Sequence, residues 1–307
     1  MGRRWEKLGH LYSNPGLHPK LVSHAANPTP VHLDGDVYRV FFSARDDRNR
    51  SSVGAVDIDI AARRVLREHA QPALVHGPEG SYFEAGISIG NCHDTASGRY
   101  ILFMGWQQPP GGHWFGEVGR IAVADDLSLT VEDPGTPFLP RDATDPVSLS
   151  YPWVMSDGAG GYAMWYGSTV TWDTGNGEML HTLNAATSPD GDTWTRSGVA
   201  VPFQLGVAQA FSKPAVLRHA DGSADMWFSY RGTREKPYRI GYAHSPDGRA
   251  WRLALEDTGI DVDPDPAAWD GQMIEYPHVF AHGGDTFMLY NGNGFGKSGF
   301  GLAVLRD

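Results

Sequence analysis

Sulfur, basic charge and long apolar runs are all scarce in this chain, and each shortage excludes something. Cys92 is the single cysteine, so no intramolecular disulfide can form, and it reads as a small buried apolar filler. No segment approaches the roughly 18 apolar residues that would cross a bilayer, and the opening residues lack the apolar stretch of a signal peptide. An integral membrane protein is therefore not expected, and a cytoplasmic setting is. Lysine and arginine number 25 against 36 acidic residues, a formal net charge of −11, which disfavours a nucleic acid partner because phosphate binding relies on basic side chains. The 13 histidines show no metal-ligand spacing, and no phosphate-binding loop or dinucleotide fingerprint occurs, so neither metal nor cofactor is expected. The glycine-rich run at 292–301 leads into a strand pattern and reads as a tight loop.

Glycine (38), proline (21) and tryptophan (10) are plentiful, which suggests many short strands joined by tight turns and little helix. Five apolar runs, at 38–45, 100–107, 162–169, 224–231 and 286–293, end on Arg45, Gln107, Thr169, Arg231 and Asn293, each 62 residues after the one before. A shorter apolar run and a turn precede the runs, the pattern of a β-hairpin. SerProAspGly turns at 188–191 and 245–248 lead to Trp194 and Trp251, and read as turns whose tryptophan packs between repeats. Five units at this spacing predict an all-β, five-bladed β-propeller with four-stranded antiparallel blades, one domain over residues 1–307. The last unit lacks its terminal Trp segment. TrpGluLysLeuGly at 5–9 resembles TrpThrArgSerGly at 194–198, so the N-terminal strand is expected to close the ring.

In a propeller, a funnel forms where inner strands start and second strands end. Aligned on proline, the inner-strand starts give Ala26, Ser150, Ser212 and Glu275, with Glu84 fitted to the second unit, which has no proline there. Two carboxylates facing across a funnel, Glu84 and Glu275, suit glycosidic bond cleavage, with Asp46 as a third that binds hydroxyls or raises a neighbour's pKa. His24, Asn27 and Arg45 of the first unit and Lys213 and Arg231 of the fourth are candidate substrate contacts. So are Gln107, Tyr151, Tyr276, His278, Asn291 and Asn293. Trp106 and Trp172 are candidate platforms for sugar rings, on the same face as Trp114 and Trp153.

Five blades, acidic residues at inner-strand starts, ArgAsp at 45–46, AspGly turns leading to Trp and TyrAsnGlyAsnGlyPheGly at 290–296 together resemble the five-bladed glycoside hydrolases of families 32, 43, 68 and 130. The resemblance implies that fold and a saccharide or sugar-derived small-molecule substrate. It does not supply the catalytic pair, since Glu84 and Glu275 match none of those families' acids position by position. The first expectation is thus a glycosidase or transglycosidase. An intracellular isomerase, cyclase or lyase on the same scaffold, and a non-catalytic carbohydrate-binding propeller, are the alternatives.

Overall fold

The computed structural model describes residues 4–306. After β1 (Arg4–Tyr12) the chain runs through four groups of four strands. The first is β2 (Ser23–Asp34), β3 (Val37–Arg45), β4 (Ser51–Asp59) and β5 (Arg64–Leu74). The second is β6 (Gly86–Thr95), β7 (Gly98–Gln107), β8 (Phe115–Val123) and β9 (Leu129–Val131). Next come β10 (Ser148–Ser156), β11 (Tyr162–Thr171), β12 (Leu180–Ser188) and β13 (Thr195–Val199), then β14 (Ala210–Arg218), β15 (Ala224–Arg231), β16 (Arg239–Ser245) and β17 (Arg252–Leu253). The last strands are β18 (Glu275–His282), β19 (Asp285–Asn291) and β20 (Phe300–Arg306). Within each group neighbours pair antiparallel, and β1 lies outermost in the sheet of β18, β19 and β20, paired to β20 with Trp5 opposite Leu305. Single parallel bridges, Ser51 to Gly86 and His181 to Ala210, link adjacent groups. The inner strands pack in succession, β2 on β6, β6 on β10, β10 on β14, β14 on β18, and β18 on β2.

The apolar runs form the second strands because they are covered on both faces by neighbouring sheets, as β3, β7, β11 and β15 show. Outer strands such as β5 and β13 alternate partly buried and exposed residues. The core accordingly lies in layers between groups. Phe41 and Val53 meet Ile87 and Phe103, Leu102 and Val118 meet Val154 and Met164, and Val40 and Val56 meet Phe300 and Leu302. Burying each large apolar side chain is worth about 1.5–3 kcal/mol. The tryptophans join these layers: Trp251 meets Trp165 edge-on at 5.7 Å, and Trp5 meets Trp227 at 5.2 Å. In the turns before them Asp190 accepts from the amides of Asp192 and Thr193, and Asp247 from those of Arg249 and Ala250.

Four inner strands carry a bulge of one type. Asn27, Tyr151, Lys213 and Tyr276 all adopt positive φ, between 42° and 54°, immediately before a proline. A non-glycine residue there costs on the order of 1–3 kcal/mol, so a strain repeated four times is a built feature that redirects the strand at the funnel. The second group differs, with its register shift between Ile89 and Cys92. This corrects the alignment of Glu84. The second-strand residues Ser43, Gly105, Gly167, Ser229 and Asn291, spaced by 62, face Ala26, Ile87, Ser150, Ser212 and Glu275. Ile87 therefore occupies the equivalent position, and Glu84 precedes β6 by two residues.

Candidate functional site

A cavity of about 330 Å³ opens where the inner strands begin, and every group contributes to it. Asn27 and Arg45 come from the first, Ser88 and Trp106 from the second, and Tyr151 and His181 from the third. Ser212, Arg231 and Tyr238 come from the fourth, Tyr276 from β18, and Phe295 from the turn between β19 and β20. The bulges aim Asn27, Tyr151 and Tyr276 inward. Tyr151 and Tyr276 pack ring to ring at 5.4 Å, with hydroxyls 3.3 Å apart. Aromatic rings thus form much of the wall.

Glu275 begins β18 and is 0% exposed. Neither carboxyl oxygen has a hydrogen-bond partner among the described residues. Burial pushes its pKa well above the ordinary 4.5, and the charges of Arg45 and Arg231, with the nearby Phe295 amide, oppose that shift without cancelling it. Burial thus favours the protonated carboxylic acid over the carboxylate. Its ionised form would in turn raise the pKa values of Tyr151, Tyr238 and Tyr276, which all line the cavity.

The two arginines are held differently. Glu178, itself buried, pairs with Arg231 at 2.6 Å to Nε and accepts from Nη2 at 3.1 Å, while the Tyr238 ring lies 4.7 Å from the guanidinium. Arg45 donates from Nη1 to the Asn49 amide oxygen at 2.8 Å. His181 sits between Ser150 Oγ at 2.6 Å and Thr169 Oγ1 at 2.7 Å, and burial lowers its pKa to about 4, so it is a neutral wall. Gly167 makes this possible, because a Cβ there would lie 2.2 Å from Ser150 Oγ and 2.3 Å from His181 Nε2.

Other residues singled out in the sequence lie elsewhere. Glu84 lines an adjoining, more open recess with Arg48, Arg50 and Glu79, which shares Asn49, Trp106 and Gln108 with the cavity, and it accepts from the Gly80 amide at 2.6 Å. Asp46 is buried in the turn after β3, where it takes the amides of Arg48 and Arg50 and the Arg50 guanidinium. Asn291 donates to the carbonyls of Ala25 and Gly299 and accepts the Asn27 amide, and Asn293 accepts from Gln272 and Met273. Both fasten loops. Lys213 is wholly buried with Nζ on the Ile89 carbonyl at 3.1 Å, and His278 is buried against Trp153; neither lines the cavity. Trp172 backs Trp114, which does line it, Gln107 yields its place to Gln108, and His24 lies near Arg45 with its pKa lowered to about 4, chiefly by burial. The sequence reading missed Glu178, His181, Tyr238 and Ser88. A signal existed for two of them: His181 is the second residue of the strand after the third repeat's run, and Tyr238 directly precedes the corresponding strand of the fourth.

Solved structures place the fold. A glycosyl hydrolase from Bacteroides ovatus superimposes with a TM-score of 0.69, at 13% identity, over 99% of this chain and 94% of its own. A structure reported with the finding that the GH130 family of mannoside phosphorylases contains glycoside hydrolases targeting β-1,2-mannosidic linkages in Candida mannan gives 0.68, at 13% identity, over 99% and 94%. The chain shares the propeller-like fold of these glycoside hydrolase structures. No family model matches the chain. It belongs to the family of the uncharacterized protein MT1551 of Mycobacterium tuberculosis (strain CDC 1551 / Oshkosh), with 41% identity over 305 residues, 99% of each chain. No helix among the described residues is long and apolar enough to cross a membrane.

Proposed function

We propose that the chain is a carbohydrate-active enzyme on a closed five-bladed propeller, a single domain over residues 1–307, that cleaves or transfers a glycosidic bond in this cavity with Glu275 as proton donor. The observation that carries the reading is a wholly buried glutamate, beside the cavity, whose oxygens have no partner. A general acid must hold its proton at working pH, and burial supplies that condition. In the proposed step the Glu275 proton passes to the glycosidic oxygen as its bond to the anomeric carbon breaks, and water or an acceptor hydroxyl takes that carbon. Trp106, Trp114 and the tyrosines offer ring faces to the sugar. Because Glu275 is sealed from solvent, the Phe295 turn beside it is the part that must yield. Glu84, on the far side of Trp106, is the proposed base, acting on a substrate that spans both recesses.

A cytoplasmic setting belongs to the same reading, supported by the single cysteine, Cys92, which leaves no intramolecular disulfide to form. A second reading, an isomerase, cyclase or lyase of a polar metabolite, is favoured by one fact: no aspartate or glutamate lines the cavity itself. The experiment is turnover of a panel of aryl glycosides by wild type and Glu275→Gln. Loss of about 10²–10⁴-fold in the variant, with sugar binding retained, is expected; full activity in the variant overturns the assignment. Inactivity of the wild type on the whole panel points to the second reading.

A further inference from the structure

The chain carries 36 acidic and 25 basic residues, yet the cavity is cationic. Arg45 and Arg231 both line it and no carboxylate does. Glu178 neutralises Arg231 from behind, through Nε and Nη2, and Tyr238 covers its face, which fixes the guanidinium and leaves the Nη1 edge without a partner among the described residues. Arg45 has only a neutral partner, Asn49. One positive charge in the cavity is therefore uncompensated by any contacting carboxylate. Guanidinium forks suit oxyanions because they donate two parallel hydrogen bonds.

We infer that Arg45 and Arg231 form an oxyanion subsite, so that the ligand of this cavity is anionic: a phosphate or carboxylate group, borne by the sugar or brought as a free ion. The inference rests on the cavity being the substrate site. Arg45 supplies the charge, and Arg231, pinned by Glu178, supplies a fixed direction. The arrangement also gives the buried Glu178, which accepts the Met179 amide as well, a role in fixing Arg231 at the cavity.

Calorimetric titration and thermal melting with sodium phosphate, sodium D-glucuronate and neutral methyl α-D-glucoside, against sodium chloride at matched ionic strength, test this. Phosphate or glucuronate should bind and raise Tm above the chloride control. Arg45→Gln should weaken that binding about tenfold to a hundredfold, the loss of a charge-assisted hydrogen bond. Arg45→Lys, which keeps the charge but not the fork, should weaken it less. Phosphate binding alone identifies a free ion as the source, and glucuronate binding alone identifies a group carried by the sugar. No anion effect beyond chloride, or unchanged affinity in whichever Arg45 variant folds, overturns the subsite. Glu275→Gln separates the two readings: anion binding with full activity in that variant sinks only the proton donor, and lost activity without anion binding in the wild type sinks only the subsite.

Discussion

The turn after β3 and the start of β18 both bury a carboxylate close to arginine, and the two groups are driven in opposite directions. Burial opposes ionisation of Asp46, but the Arg50 and Arg48 amides and the Arg50 guanidinium outweigh it, so its pKa falls below the ordinary 3.8. Glu275 lies deeper, has arginines nearby but none in contact, and its pKa rises. Partners within hydrogen-bond reach outweigh burial at Asp46 and mark it as structural, whereas the deeper Glu275 lacks them and burial favours its protonated form.

Breaking the saturated site should have the largest effect. Asp46→Ala strands the Arg50 guanidinium and two turn amides, and should cost about 2–4 kcal/mol at pH 7, read as a fall in the urea midpoint. Because the folded pKa is depressed, the Asp46 contribution is present above pH 3.8 and is lost as pH falls through the folded value, so the gap between variant and wild type should close in acid. A variant as stable as wild type at pH 7 would remove the contrast. The Glu275 site should respond with the other sign. Its folded pKa is raised, so its contribution is intact below about pH 4.5 and lost as pH rises through the folded value. Glu275→Gln, which carries no proton to lose, should match wild type at pH 5 and exceed it at pH 8 by about 1–3 kcal/mol.

The sequence made the repeat legible because identical packing demands identical patterns: a strand covered on both faces, preceded by a turn, recurs every 62 residues. It also marked Glu275, since the proline after it fixes the register of the bulge. The same rule failed in the second group, where the bulge is displaced toward Cys92 and no proline marks it, so Glu84 was aligned with a position that Ile87 holds. Asp46 misled for another reason. Its partners are mostly backbone amides, which no residue type announces. Glu178 was hidden because it lies in the connection between β11 and β12 and acts through Arg231, and the lengths of such connections vary among the groups.

The smallest expected effect extends the comparison to a cation. Lys213 is wholly buried, with one carbonyl as partner, and burial lowers its pKa from 10.5 to about 7. The penalty on its charged form is present in full below about pH 7 and vanishes above 10.5, so the protein gains stability from this group as pH rises between those values. Lys213→Met, which keeps the length and removes the charge, should stabilise the fold by about 1–2 kcal/mol at pH 6 and progressively less toward pH 10. Chemical denaturation at the two pH values measures it. Destabilisation at pH 6 would mean that Lys213 is held charged by a partner that the Ile89 carbonyl alone does not represent, and the rule drawn from Asp46 and Glu275 would then not extend to the interior beneath the cavity.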